Sequence, residues 1–190
     1  MTQVKELLIE ELQDLLDAET QLTAALPKMV EAAHHPKLKE AFEKHLVQTQ
    51  VQVERLRAGM ELLGAKAEAK PCKGMVGLIA EGEETIRKGA EKEPLAADLA
   101  LIAAAQRVEH YEISAYGTAR SLARQSGEIE CAKLLSYTLG EEESTDFLLT
   151  TIADPLVQQL SLDAMGAGAD LDAEETRSGG RRKKATKTAA

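Results

Sequence analysis

Apolar residues recur every three or four positions over most of this chain, as they do along one face of an amphipathic helix. In the first such segment they occupy positions 4, 8, 12, 15, 22, 26 and 30. Few stretches show the period of two that is typical of strands. The pattern therefore predicts four long helices, over residues 3–33, 37–63, 95–125 and 128–153.

The connection between the second and third helices, residues 65–93, is too long for a tight turn. It contains Pro71 and Gly74, followed by a short helical segment over residues 75–89. A long crossover allows the second pair of helices to reverse its direction relative to the first pair. The chain is therefore predicted to be all-α, a ferritin-like four-helix bundle with a long crossover, containing a short helix, between helices 2 and 3.

Prolines and the C-terminal composition set the predicted boundaries of this bundle. Pro27 predicts a kink in the first helix, and Pro155 predicts that the fourth helix ends before it. A further short helix over residues 156–165 would complete a bundle of residues 1–165. Residues 166–190 turn acidic and then basic, and their apolar surface is too small to offset the entropy of ordering them. A disordered tail is predicted there.

Composition and charge narrow the classes of function. The chain has 190 residues, of which 44% are hydrophobic, enough for one domain with a substantial core. Its net charge of −9 is unevenly distributed, because residues 177–190 hold six basic residues and no acidic one, which leaves 17 basic and 32 acidic residues elsewhere. The general surface would repel nucleic acid, so any contact with a polyanion is assigned to this basic tail.

The sequence also bears on location and on cysteine chemistry. No apolar run is long enough to span a bilayer, and the N-terminal segment is amphipathic and acidic, unlike a secretory signal. We therefore expect a cytoplasmic protein. Cys72 and Cys131 match neither a disulfide framework nor a zinc pattern, and we expect small buried or half-buried thiols.

Four acidic residues interrupt the apolar stripes of the predicted helices: Glu19, Glu109, Glu142 and Asp146. An unpaired carboxylate is costly to bury, so several of them directed into one core require a cation. Ferritin-like bundles meet this need with two metal ions held by side chains of all four helices. Carboxylate and imidazole ligands suit iron or manganese, and zinc is a further candidate. The alternative is a half-exposed seam in which each acid pairs with its own Lys or Arg.

The second helix offers weaker candidate ligands. Its inward face carries Thr49 at the centre, with His45 and Gln52 on the flank, and no acid. His45 could bind a metal or be a hydrogen-bonded core residue, and both interpretations stay open. Glu112 and His110 flank Glu109 on opposite sides, and Glu112 could close on the site from the edge.

Four neighbours of these candidates have expected positions of their own. Tyr116 could donate a hydrogen bond to a ligand oxygen or simply pack in the core. We expect Glu141 and Glu143 to be solvated, because both rotate away from the core face, and His110 to face a neighbouring helix or subunit.

Several phrases of the sequence resemble the YciE/YciF-like family. The most specific is Val108-Glu109-His110-Tyr111-Glu112-Ile113 of the third predicted helix. The matching phrases lie within residues 17–23, 45–52, 72–79, 101–118 and 138–146. The resemblance covers residues 3–153 without an obvious gap.

The resemblance implies a bacterial ferritin-like protein, linked to stress responses and commonly a homodimer, with a dinuclear metal centre and no settled reaction. Carried onto this chain, the metal positions would be Glu19, Glu109, Glu142 and Asp146, with residues of the second helix less certain. Gln48 stands where members of the family often have Glu, which would weaken metal binding here if that acid is a ligand.

Three functions remain open from the sequence, and no catalytic residue is assigned. The first is a non-haem protein with two iron or manganese ions that handles oxygen, peroxide or metal, with oxidase or peroxidase chemistry as one option. The second is a structural or stress-protective bundle with a degenerate metal site. The third is binding of nucleic acid or a membrane through the basic tail. The four interior acids favour the first.

Overall fold

The structure, a computed structural model, describes the backbone of residues 2–185 and the side chains of residues 2–163 and 165. Within this part of the chain there are five α-helices and no strand, so the all-α prediction is confirmed. The helices are α1 (Gln3–Ala32), α2 (Pro36–Leu62), α3 (Lys73–Gly89), α4 (Pro94–Gln125) and α5 (Ile129–Ala185).

The helices begin and end at residues whose chemistry favours those positions. Thr2 caps α1 by accepting a hydrogen bond from a backbone amide of the first turn at 3.4 Å. Pro36 and Pro94 occupy the first turns of α2 and α4, where no amide donor is needed. Gly64 and Gly127 follow these two helices with φ angles of 69° and 78°, which glycine adopts at low cost.

The fourth long helix does not end where the sequence predicted. Pro155 lies inside α5, so the prediction of an end before it is wrong, and residues 156–165 belong to the same helix. A proline removes one backbone hydrogen bond, at a cost of about 3 kcal/mol. Residues on both sides of it, such as Ala153 and Leu156, are good helix formers and compensate locally. Pro27 likewise lies within α1 without ending it.

The chain divides into two units, residues 1–153 and residues 154–190. The second unit continues α5, and its described side chains include the exposed Val157, Leu162 and Met165. The predicted tail of residues 166–190 lies outside the residues whose side chains are described, and its disorder stays a prediction. No helix in the described part of the chain combines the length and the apolar character that crossing a membrane would need.

In the first unit, α1 packs against α2, α3 and α4, and α3 also packs against α4. Hydrogen bonds from Gln52 to Glu141 and Glu142 join α2 to the beginning of α5. The main apolar core is formed by one segment of each of the four long helices: Leu8, Leu12, Leu15, Leu16, Val53, Leu56, Met60, Tyr116, Ala119, Ala123, Cys131, Ala132, Leu135 and Leu139.

Next to this core, each of the four long helices carries buried polar residues, and these lie at one level of the structure. On α1, Glu19 lies between the buried Leu15 and Leu22, and on α5, Glu142 lies between the buried Leu139 and Leu149. Apolar side chains on both sides exclude water from that level. The fold therefore positions a polar layer inside an otherwise apolar interior.

A buried carboxylate outside this layer ties the turn between α1 and α2 to α4. Asp98, which is 2% exposed, accepts hydrogen bonds from the backbone amides of His34 at 2.8 Å and His35 at 2.7 Å. Substitution Asp98→Ala leaves both amides without this acceptor, and we expect the free energy of unfolding to fall by about 2–4 kcal/mol. Urea denaturation followed by circular dichroism measures this loss.

The matched variant for that experiment is Asp98→Asn, which keeps one acceptor oxygen at the same place. It should lose clearly less stability than Asp98→Ala. Equal losses for the two variants would show that the hydrogen bonds to the turn do not carry the effect.

Candidate metal centre

Four carboxylates and one imidazole meet in the polar layer, and we call these five residues the buried cluster: Glu19, His45, Glu109, Glu112 and Glu142. Each is at most 2% exposed. For His45, Glu109, Glu112 and Glu142, ligand atoms lie within 4.8 Å of one another, a grouping that could hold a metal ion.

The helical period explains why these side chains converge. Glu109 and Glu112 are three residues apart on α4 and therefore share one face. Glu142 extends from α5 and His45 from α2, while Glu19 approaches from α1. All four long helices thus contribute to one layer.

His45 is a neutral ligand candidate. Its Nε2 lies 3.4 Å from Oε1 of Glu109 and 3.7 Å from Oε2 of Glu142, and it has no hydrogen-bond partner. Burial lowers the pKa of His45 to about 4, so the imidazole is uncharged at neutral pH and forms no ion pair with these acids. A neutral imidazole with a free Nε2 is the form that binds metals.

The acids of the buried cluster destabilise one another. Burial first, and then the negative charge of neighbouring carboxylates, raises the pKa of Glu19, Glu109 and Glu112 well above the usual range. Burial also raises the pKa of Glu142 to about 7. These shifts report that the charged forms lack compensation from the protein itself.

Hydrogen bonding supplies only part of that compensation. Among the described residues, eight buried polar atoms of this layer have no hydrogen-bond partner, including both carboxylate oxygens of Glu112. They are Oε2 of Glu19, Nε2 of His45, Oγ1 of Thr49, Oε1 of Gln52, Oε2 of Glu109, Oε1 and Oε2 of Glu112, and Oε2 of Glu142. Buried acceptors without donors are rare in folded proteins, and a bound cation would satisfy them.

Two contacts hold individual acids of this layer in place. Tyr116 donates a hydrogen bond from its hydroxyl to Oε1 of Glu19, and its ring packs in the apolar core. Both roles that the sequence allowed for Tyr116 are therefore found. Gln52 donates to Oε1 of Glu142. Each contact leaves the second carboxylate oxygen of its acid without a hydrogen-bond partner.

The structure separates the predicted residues into two groups. It brings together Glu19, Glu109 and Glu142, and with them Glu112, which the sequence placed only at the edge. Thr49 and Gln52 also lie in this layer, each with one unpaired oxygen. The spacing of three residues from Glu109 was the signal that pointed to Glu112.

Asp146 lies apart from the buried cluster. Its side chain is 23% exposed, accepts a hydrogen bond from Gln106 at 3.0 Å, and lies 3.4 Å from Nε2 of the exposed His110. A helical turn contains 3.6 residues, so the side chain of Asp146, four residues after Glu142, is rotated by about 40° relative to it. This rotation places Asp146 against Gln106 and His110 of α4. Thr145, three residues after Glu142, is the residue that stays buried and approaches His45 at 3.4 Å.

Glu141 is not simply solvated, contrary to the prediction. It is 26% exposed and accepts two hydrogen bonds from the guanidinium of Arg55, one of them at 2.9 Å. Arg55 is therefore paired with Glu141. Its positive charge also lowers the pKa of Glu19 and of Glu142, but by less than burial raises them. Glu143 is exposed as expected.

The pKa shifts give a pH dependence for the metal-free protein. A carboxyl group whose pKa is raised in the folded state contributes stability that is complete below its unfolded pKa, about 4.5, and is lost as the pH rises through its folded pKa. For Glu142 that folded pKa is about 7. We therefore expect the melting temperature of the metal-free protein to fall between pH 5 and pH 8, relative to that of Glu142→Gln, which cannot ionise there.

The control is Glu143→Gln, a substitution at the exposed neighbouring position. Differential scanning calorimetry of the three chains across this pH range measures the effect. A difference between wild type and Glu142→Gln that stays constant from pH 5 to pH 8 would show that this carboxyl titrates normally.

Comparison with known proteins places these observations in a family. Residues 3–161 match the family described as "Domain of unknown function (DUF892)". Protein YciF of Escherichia coli (strain K12) is 44% identical over 154 residues, which make up 80% of this chain and 92% of that protein. The crystal structure of YciF, described as an E. coli stress protein, superposes with a TM-score of 0.79 and covers 83% of this chain and 99% of its own.

Two further solved structures are similar. YcfI of Rhodopseudomonas palustris, which is provisionally described as a structural protein, is 38% identical with a TM-score of 0.74, covering 79% of this chain and 94% of its own. A protein of Xanthomonas campestris pv. campestris shares 24% identity at a TM-score of 0.66, covering 86% of this chain and 99% of its own, and shows the same fold only.

Proposed function

The chain belongs to the DUF892 family, as its resemblance to YciE and YciF indicated, and we propose that it is a ferritin-like protein that binds two divalent metal ions in its buried cluster. The observation that supports this most strongly is the set of buried carboxylate oxygens without hydrogen-bond partners. In this proposal α1, α2, α4 and α5 are the four helices of a ferritin-like bundle, and α3 lies in the crossover between the two pairs.

Charge balance supports a pair of divalent ions. The four carboxylates of the buried cluster carry four negative charges when ionised, and two divalent cations neutralise them. Burial of such acids without a compensating charge costs several kcal/mol each, or forces protonation. A single divalent ion would leave half of the negative charge in place.

The donor set fits iron or manganese. Carboxylates and one imidazole are the ligands that these metals take in helical bundles, and zinc accepts them as well. Glu109, Glu112, Glu142 and His45 would hold the ions together with Glu19. Gln52 and Thr49 on α2 each add one neutral oxygen, in place of the second histidine that such sites often contain.

The protein's own residues would prepare and protect this centre. Tyr116 fixes one oxygen of Glu19 and Gln52 fixes one oxygen of Glu142, and the other oxygen of each acid stays free to bind a cation. The apolar residues on both sides keep bulk water away. A bound iron or manganese ion would supply redox and Lewis-acid chemistry toward oxygen or peroxide. The description of YciF as a stress protein supports a role in handling these species or the metal itself.

Elemental analysis tests the proposal. The protein is stripped with a chelator, reconstituted with ferrous iron without oxygen, and freed of loosely bound metal. We expect close to two ions per chain, and few in a chain that carries both Glu109→Gln and Glu142→Gln. A metal content near zero in the wild-type protein would contradict the proposal.

A structural role is the second candidate, favoured by the provisional description of the similar YcfI. Under that role the buried acids are remnants that persist through protonation. Substituting these acids would then leave the stability unchanged or raise it. Metal would not change the melting temperature of the wild-type protein or of the variants.

We further propose a homodimer, because the aromatic side chains of Tyr137 and Phe147 on α5 are 67% and 73% exposed. Sedimentation equilibrium measures the mass of the protein in solution, and the mass of a single chain would contradict this part of the proposal.

A cytoplasmic location and a polyanion contact through residues 177–190 stay predictions from the sequence, and the side chains of that segment lie outside the described residues.

A further inference from the structure

A cysteine, a tyrosine and an aspartate from three parts of the chain form a hydrogen-bonded network outside the buried cluster. Cys72 immediately precedes α3, Tyr111 lies on α4 and Asp14 lies on α1. The Cys72 sulfur is 2.9 Å from the Tyr111 hydroxyl oxygen, and this hydroxyl donates a hydrogen bond to Oδ2 of Asp14 at 2.6 Å. A hydroxyl has one hydrogen to donate, so the thiol is the donor in its contact with Tyr111.

The backbone around Cys72 holds its sulfur against Tyr111. The Cys72 amide donates a hydrogen bond to Oδ2 of Asp17 on α1 at 2.7 Å, and the sulfur accepts one from the Met75 amide at 3.4 Å. Cys72 is fully buried, whereas Tyr111 and Asp14 are half-buried. The thiol is a free one, and it is therefore directed at the tyrosine and shielded from solvent.

Gly74 allows the ring of Tyr111 to lie this close to the start of α3. A Cβ at this position would be 2.8 Å from Cε2 of Tyr111, closer than side chains tolerate. Cε2 is one of the two ring carbons next to the carbon that bears the hydroxyl. At Gly77, one turn later, a Cβ would meet no atom within 4 Å. The missing side chain at position 74 thus lets this edge of the ring and the sulfur lie side by side.

The chemistry of these groups favours oxidation over nucleophilic attack. Burial above all raises the pKa of the Cys72 thiol, so the sulfur stays protonated and is a poor nucleophile. A phenol loses an electron more easily when a carboxylate takes its proton, and Asp14 is placed to do so. An oxidised phenol carries its unpaired electron on the oxygen and on the ring carbons next to the hydroxyl-bearing carbon. The Cys72 sulfur lies beside these atoms.

The two residues lie near the buried cluster. Tyr111 directly precedes Glu112 on α4. The pKa of Glu112 is raised by burial, by the other acids of the cluster and, last, by the charge that Cys72 would carry. The thiol is therefore on the Glu112 side of the cluster.

From this arrangement we infer that Cys72 and Tyr111 form an oxidative modification site, at which hydrogen peroxide joins the sulfur to the ring carbon beside the hydroxyl in a thioether bond. The S–H bond and one ring C–H bond break, and the S–C bond forms. The two hydrogens and their electrons reduce one peroxide molecule to two water molecules. The inference rests on the proposed function only for the place of that reduction, which is the metal centre. The product would tie the start of α3 to α4.

Peptide mass spectrometry tests this inference. The chain is loaded with manganese or ferrous iron, its metal content is measured, and it is treated with hydrogen peroxide. Dithiothreitol then reverses sulfenic acid and disulfides but not a thioether. Trypsin places Cys72 and Tyr111 on residues 67–73 and 108–120. We expect these two peptides to be joined, with a mass two hydrogens below their sum, and fragmentation to place the bond on Tyr111 and not on Tyr116.

Matched variants test the geometry. Tyr111→Phe should give no joined peptide, whereas Tyr137→Phe, at an exposed tyrosine, should behave as the wild type. Gly74→Ala displaces the ring and should lower the joined fraction several-fold, and Gly77→Ala should not. If Gly74→Ala does not fold, Asp14→Asn serves instead, because an amide accepts the hydrogen bond but cannot take the proton. Joining that survives Tyr111→Phe, or that neither of the other two variants reduces, would overturn the inference.

The metal content separates this inference from the proposed function. A chain loaded with two ions that shows no joined peptide after peroxide overturns the inference alone. If the chain holds no metal, the proposed function fails, and the metal-free protein is then oxidised by illumination with tris(bipyridine)ruthenium(II) and persulfate. A joined peptide in that sample supports the modification site without the metal centre, and its absence overturns the inference.

Discussion

Addition of manganous ion, or of ferrous ion without oxygen, should raise the melting temperature of the metal-free protein by about 10 °C or more. A ligand that binds only the folded state at about 100 times its dissociation constant contributes about 2.7 kcal/mol, and this chain offers two sites in the proposal. For a protein of this size each site then corresponds to roughly 5–10 °C. Differential scanning calorimetry before and after loading measures the shift.

The size of this effect follows from the electrostatics of the buried cluster. In the metal-free protein the charged forms of Glu109 and Glu112 are opposed by burial and by their neighbours, as their raised pKa values report. A divalent ion removes that penalty and satisfies unpaired oxygens at the same time. Magnesium, which dehydrates reluctantly and prefers to keep water ligands, is the matched control and should stabilise far less. An equal shift with magnesium would indicate surface binding.

Substitution Glu109→Gln should change stability in opposite directions with and without metal. In the metal-free protein it removes a buried charge, and we expect the free energy of unfolding to rise by about 1–3 kcal/mol. In the presence of manganese it removes a ligand, and most of the metal-dependent shift should disappear. The two melting temperatures of the variant should therefore nearly coincide, at a value between those of the two wild-type forms.

The exposed Glu143 supplies the matched control for this comparison, because Glu143→Gln removes the same charge without reaching the cluster. It should leave both the metal-free stability and the metal-dependent shift unchanged. A metal-dependent shift that survives in Glu109→Gln would exclude this residue as a ligand. If the metal-free variant is more stable than the wild-type protein, and metal does not change the melting temperature of the wild-type protein, the structural role is favoured.

Much of the fold was accessible from the sequence, because periodic apolar residues fix amphipathic helices whatever their partners are. The second and third predicted long helices, 37–63 and 95–125, agree with α2 and α4 to within one residue, because prolines and glycines with strong local preferences lie at their ends. The predicted end before Pro155 was wrong because the helix preference of the flanking residues outweighed the loss of one hydrogen bond.

The buried cluster was predicted in part. Glu19, Glu109 and Glu142 each interrupt an apolar stripe, and all three are buried. A charged residue in such a stripe is easily recognised from the sequence. Glu112 and Asp146 differ from them only by rotations of a helix about its axis, which depend on how the helices pack and not on the local sequence. The Arg55–Glu141 pair was missed for the same reason, because its two residues come from different helices.

The measurement that tests the central claim most directly is an anomalous-difference map from crystals grown with manganese. We expect two peaks inside the helical bundle, with carboxylate oxygens of Glu109, Glu112 and Glu142 and Nε2 of His45 at bonding distance. Peaks confined to surface acids such as Glu54 or Glu143, or an interior without anomalous density at full manganese concentration, would contradict the claim.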